Sequence, residues 1–244
     1  MTCYWSDNKY TILLIVDIKI IVKIKIAVLG TGIVGRTIAE KLDQLGHDVT
    51  IGTRDVQKTM QENEAYAAWA SSHSNVHTMP FVEGAANADL LFNCIGGMVT
   101  MDALNGIGEK TLGNKVLVDL SNPLDFSNGM PPSLGVVNTD SIGEQIQRGF
   151  PNLKVVKSLN TMNTALMVNP GMLKGDHNVF VCGNDEASKN TTLDLLKSFG
   201  WREDLIIDLG DITNSRGTEM ILPIWLRLWG ALGTAEFNFH IQKN

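Results

Sequence analysis

Cysteine is scarce in this sequence. Cys3, Cys94 and Cys182 stand far apart, odd in number and without a C-x-x-C pair. That pattern excludes a disulfide scaffold and suits a reducing compartment, so a cytoplasmic location is expected. The histidines, His47, His73, His77, His177 and His240, fit no zinc spacing, and no metal site is expected. Excess positive charge is missing as well. The formal net charge is -6 with both signs interspersed, so there is no basic stripe to neutralise a phosphate backbone, and nucleic acid is excluded as a partner. A long apolar run is absent too. The stretch Thr11 to Val16 begins like one, but Asp17 and Lys19 end it. A membrane helix needs about 20 nearly uncharged residues, and a signal peptide needs a longer apolar region and a small-residue cleavage site.

From Asp17 to Ile26 charge alternates with isoleucine or valine, a strand period. Residues 1–22 are therefore either an added strand or a translated upstream extension that contributes little to the fold. With 244 residues, the chain is long enough for one large domain, or a large and a small one. Beyond residue 22 the periodicity predicts strands at 24–29, 48–51, 76–79, 90–95, 115–120, 153–159, 177–182, 205–209 and 237–241. Helices are expected at 34–45, 56–71, 81–87, 139–150, 186–199 and 216–232, with a turn-rich stretch at 121–132. Such alternation implies an α/β fold, a Rossmann-type doubly wound parallel sheet covered on both faces. We divide it into a dinucleotide-binding domain over 23–159 and a small C-terminal α+β region over 160–244.

The chemistry-bearing signal is Gly30-Thr31-Gly32-Ile33-Val34-Gly35. A lone G-x-G-x-x-G is weak, but this one closes an apolar strand and opens a helix. Gly30 permits the tight turn, Gly32 lets the backbone approach a pyrophosphate, and Gly35 allows close helix-to-sheet packing. An NAD site would place Asp or Glu at the end of the next strand. Here that strand ends Ile51-Gly52-Thr53-Arg54. A carboxylate would repel a 2'-phosphate, whereas a hydroxyl and a guanidinium bind it, so Thr53 and Arg54 point to NADP(H). The alternative leaves Arg54 in solvent and gives the ribose to Asp55. Ligands of doubly wound sheets lie across the carboxyl ends of the strands. The loops holding Ile95, Gly96 and Gly97, Asn122 and Pro123, and Asn160 should therefore face the nicotinamide half. The glycines could also be simple strand punctuation and the asparagines self-bonded turn residues.

No proton relay or nucleophilic triad is visible, and after Leu159 no lysine follows at one-turn spacing as in hydroxyacid dehydrogenases with a helical second domain. Catalytic side chains are thus unassigned. Met98, Met162 and Met167 suit the stacking of flat rings or are ordinary core residues.

At Ile26 to Gly32, Gly52 to Arg54, Ser121 to Asp125, Lys157 to Thr161, Gly210 to Ile212 and Gly217 to Met220 the sequence resembles the coenzyme F420-dependent NADP oxidoreductase family. The resemblance runs from about Lys23 to the C-terminus. It implies a Rossmann domain with a small C-terminal domain, a homodimer, and hydride exchange between nicotinamide C4 and deazaflavin C5, for which no side-chain proton donor is required. It also implies that Thr31 and Ile33 line the dinucleotide and that Thr53 and Arg54 take its 2'-phosphate. The expected partner is a small planar redox acceptor, F420 or a flavin such as FMN or FAD. Two other readings stay open: a reductase of imines or keto acids of the pyrroline-5-carboxylate type, and a non-catalytic NADP(H)-sensing protein.

Overall fold

The computed structural model describes residues 23–243; the two readings of residues 1–22 lie outside them. Among the described residues there are ten strands: β1 (Lys25–Leu29), β2 (Asp48–Thr53), β3 (His77–Pro80), β4 (Leu90–Asn93), β5 (Val116–Asp119), β6 (Leu124–Asp125), β7 (Ser133–Leu134), β8 (Lys154–Ser158), β9 (Val179–Gly183) and β10 (Ile206–Asp208). Eight of them form one sheet in the order β10-β9-β8-β5-β4-β1-β2-β3, while β6 and β7 make a separate two-stranded hairpin. The run β3-β2-β1-β4-β5-β8 is the dinucleotide-binding order, with its switch point between β1 and β4. One departure from an all-parallel sheet occurs. Strand β9 runs antiparallel to β8, with Lys157 opposite Cys182, because the chain re-enters from the end at which β8 leaves.

The strand sequences explain the two-sided cover. In β1, Ile26 and Val28 join one buried cluster with Ile38 and Leu42, and Ala27 and Leu29 join the other with Leu104, Leu117 and Ile146. Strands with both faces buried read as continuous apolar runs, as these do. The helices are α1 (Ile33–Gln44), α2 (Val56–Glu62), α3 (Glu64–Ser72), α4 (Phe81–Asn87), α5 (Gly97–Ile107), α6 (Glu109–Leu112), α7 (Ile142–Gly149), α8 (Thr164–Val168), α9 (Glu186–Phe199), α10 (Ser215–Met220) and α11 (Leu222–Leu232).

Three sequence expectations are corrected, and one helix is added. The helix expected over 56–71 is broken at Asn63, whose side chain accepts from Tyr66 N–H and starts α3 afresh. The helix over 216–232 is interrupted at Ile221, and Pro223 sits in the first turn of α11, where its missing N–H costs nothing. Residues 237–241 form no strand. They lie beside Asn178, whose N–H donates to Phe239 O and whose Oδ1 accepts from Ile241 N–H. Helix α5, finally, had no counterpart in the periodicity. No helix among the described residues is long and apolar enough to cross a membrane.

Candidate functional site

The carboxyl ends of β1, β2 and β4 open onto a cleft of about 1060 Å³. Gly30 forms its floor with φ +120°, and a Cβ there would lie 2.9 Å from Cys94 O, so only glycine suits this turn. A Cβ on Gly35 would lie 2.0 Å from Gly30 O. That close approach sets the first turn of α1 directly on the end of β1. Gly32 at the start of α1 and Gly96 at the start of α5 offer no side-chain cap. At α1 the first-turn N–H groups lack intrahelical partners and favour an anion, whereas at the start of α5 Gly97 N–H is taken by Asn122 O.

Of the residues singled out in the sequence, Gly30, Thr31, Gly32, Thr53, Arg54, Ile95 and Gly96 line this cleft. Ile33, Val34, Gly35, Gly97, Asn122, Pro123 and Asn160 do not. Ile33 stands exposed at the head of α1. Gly97 has a packing reason: its N–H donates to Asn122 O, and a Cβ would lie 2.4 Å from that oxygen. Asn122 and Asn160 bond each other. Asn122 Nδ2 donates to Asn160 O and Asn160 Nδ2 to Asn122 Oδ1, each at 2.9 Å. This reciprocal pair ties the loops after β5 and β8 together, and Leu159, held at φ +63°, turns the second loop toward the first.

At the far end of the cleft Arg54 is exposed and makes no ion pair among the described residues. Thr53 shares a 2.7 Å hydrogen bond with Thr59. Asp55, the alternative ribose acceptor, uses Oδ1 to cap α2 by accepting from Lys58 N–H. Lys58 also lines the cleft and was overlooked; a lysine one turn beyond Arg54 was the available signal. Phe81 and Val82 at the start of α4, and Val99, Asp102 and Ala103 on α5, complete the walls.

Beneath the loops after β5 and β8 lies a charge cluster that the periodicity did not disclose. Lys157, fully buried, places Nζ 2.8 Å from Asp119 Oδ2 and 2.8 Å from Glu219 Oε1, and donates to Ser121 O. Asp119 Oδ1 accepts from Asn93 Nδ2 and Ser121 N–H. Glu219 also accepts from the N–H groups of Ile142 and Gly143 at the start of α7. Burial alone would lower the Lys157 pKa, but Asp119 and Glu219 outweigh it and raise it. Burial raises that of Glu219 despite the lysine. The clue lay in a lysine placed within the apolar run Leu153 to Leu159. With no solvent contact and three oxygen partners, Lys157 positions the Ser121 loop. Burial also raises the Cys94 thiol well above its ordinary range, so this cleft cysteine stays protonated at neutral pH.

Comparison with known proteins places this arrangement. Residues 25–123 match the family described as NADP oxidoreductase, coenzyme F420-dependent. A crystal structure from Arthrobacter sp. FB24, described as of an F420-dependent NADP-reductase, is 56% identical. It superposes with a TM-score of 0.87 over 90% of this chain and all of that one. The F420-dependent NADP reductase of Methanocaldococcus jannaschii is 26% identical over 213 residues, 84% of this chain and 92% of its own length. The metalloreductase STEAP3 of Rattus norvegicus is 24% identical over 205 residues. The match takes in 82% of this chain but only 38% of that protein.

Proposed function

The chain belongs to the coenzyme F420-dependent NADP oxidoreductase family, and on that premise we propose that it carries hydride between NADP(H) and a small planar redox acceptor such as F420 or a flavin. The observation that carries this reading is Arg54, without an ion-pair partner among the described residues, beside Thr53 at the end of β2, in the loop next to the glycine turn. The uncapped start of α1 and the Cβ-free floor suit a pyrophosphate, and Arg54 with Lys58 suits a 2'-phosphate. When bound, the dinucleotide supplies hydride at nicotinamide C4. The protein's part is to hold the dinucleotide by Gly30, Thr31, Gly32, Thr53 and Arg54, and by the amides of Ile33, Val34 and Gly35. Ile95, Gly96, Gly97, Asn122, Pro123 and Asn160 form the platform toward the acceptor. Lys157 fixes that platform, and no side chain is assigned a proton-transfer role.

We read 23–159 as the dinucleotide-binding part and 160–244 as completing the acceptor side and a homodimer contact. Exposed Ile224, Trp229 and Leu232 on α11 support the latter. The unpaired thiols of Cys94 and Cys182 suit a cytoplasmic setting. The test mixes the purified protein with NADPH and, separately, F420, FMN or FAD, and follows the nicotinamide absorbance. Turnover with at least one is expected. Turnover only of pyrroline-5-carboxylate, or tight NADPH binding with no turnover at all, would replace this reading with an imine reductase or a sensor.

A further inference from the structure

We propose that the acceptor end of the cleft recognises the flat ring of its planar carrier and makes no use of an anionic tail. The inference rests on the function proposed above and specifies which part of the acceptor is read.

The molecule supplies its own comparison. At the donor end, Arg54 has no carboxylate partner among the described residues. Lys58 meets only Glu62, at 3.7 Å, with both side chains about two-thirds exposed. Cations left free in this way are available to a phosphate. On the proposed function, we take the acceptor end as the side formed by residues 96–102, 119–148, 157–163 and 211–220, of which Gly96, Val99 and Asp102 line the cleft itself. Within these segments the cations are Lys157, Arg148 and Arg216, against seven carboxylates.

All three cations are engaged. Lys157 is buried between Asp119 and Glu219. Arg148 makes a two-pronged contact with Asp140, at 2.9 and 2.8 Å. Arg216 grips Glu144 in the same way through Nε and Nη2. Bidentate pairing occupies the planar edge with which a guanidinium would bind phosphate or carboxylate. The partners do not release it by protonation at neutral pH. The Arg148 hydrogen bond brings Asp140 down to about 2, and Arg216 lowers Glu144. An anionic tail arriving here finds a surplus of fixed negative charge and no free donor of positive charge.

What the same end does present is apolar. Met98, Val99, Phe126, Met130 and Val137 are all exposed. Val99 also lines the dinucleotide cleft, so this rim is continuous with the donor site. The hairpin β6-β7 holds it in place: Met98 packs over Gly135, where a Cβ would lie 2.6 Å from its Sδ. Polarizable methionines beside an aromatic ring suit the face of a flat heterocycle.

The test is a fluorescence titration of the NADP-loaded protein with matched pairs. One pair is riboflavin and FMN; the other is F420 and its tail-free deazaflavin core. Within each pair the dissociation constants should agree within about threefold, and added salt should not weaken the charged member more than the neutral one. Phe126→Ser and Met130→Ser should loosen both members of a pair equally. A recruited cation worth ~1.5–3 kcal/mol would make the tailed member about tenfold tighter or more. That advantage, erased by salt, would overturn the proposal while leaving the proposed function intact. If none of the four rings binds or oxidises NADPH, the function reading fails and this inference with it.

Discussion

Replacing Lys157 by methionine keeps the unbranched side chain, one atom shorter, and removes its charge, leaving Asp119 and Glu219 facing each other out of contact with solvent. Removing one partner of a buried ion pair costs ~3–5 kcal/mol, because the remaining charge is stranded. For a chain of this size each kcal/mol shifts the melting temperature by about 2–4 °C, so a fall of roughly 6–20 °C is expected. The pH dependence carries a second signature. Glu219 already holds its proton to higher pH when folded than its ordinary value of 4.5. The folded state therefore binds more protons than the unfolded one, and this group's contribution is most favourable below that value and falls as pH rises toward the folded pKa. Lys157 opposes the effect; its own contribution is present below 10.5 and is lost only as pH rises through its elevated folded pKa. Without the lysine, Glu219 loses the cation that opposes its upward shift and titrates still higher, so Lys157→Met should lose less stability at about pH 5 than at about pH 8. Thermal and urea melts at both values measure this. A variant within about 1 kcal/mol of the parent at both, with an unchanged pH slope, would refute the role given to the cluster.

An alanine at Gly35 would set its Cβ 2.0 Å from Gly30 O. Because backbone must move, a stability loss of at least ~1–3 kcal/mol and a weakened NADPH affinity are expected by denaturation and titration. Asn122→Ala and Asn160→Ala should be coupled: their double-mutant cycle should show an interaction of ~1 kcal/mol, since either change removes the one bond between the two side chains, Asn160 Nδ2 to Asn122 Oδ1, while the bond from Asn122 Nδ2 to the Asn160 backbone oxygen survives Asn160→Ala. Asp140 titrates near 2 when folded against 3.8 ordinarily. Its contribution is thus present above about pH 4 and lost as pH falls toward 2. That lowering corresponds to at most ~2.5 kcal/mol and, with Arg148 well exposed, to ~1 kcal/mol or less after solvent screening. Asp140→Asn should remove that part of the acid dependence in melts.

Much of the fold was legible because strands buried on both faces are continuous apolar runs, and β1, β4 and β5 announce themselves in this way. The glycine turn was legible for a related reason, since Gly30 and Gly35 each answer a specific contact, with Cys94 O and Gly30 O, while Gly32 leaves open space above the turn. What stayed hidden depends on pairing across long sequence separations. Lys157, Asp119 and Glu219 meet from three elements, and no local period reports that meeting. The antiparallel entry of β9 likewise follows from where the chain after α8 returns. Helix α5 was masked by its glycines and weak amphipathicity, and the run over 237–241 looked like a strand although it has only side-chain and isolated backbone bonds to offer.

The central claim is that Arg54 reads a 2'-phosphate in the cleft. Its most direct test is the affinity of the parent and of Arg54→Ala for NADPH and NADH, followed by nicotinamide fluorescence. A charge-assisted contact worth ~1.5–3 kcal/mol predicts that the substitution weakens NADPH by about 10- to 150-fold and leaves NADH nearly unchanged. Equal loss for both dinucleotides, or no loss for either, would contradict it.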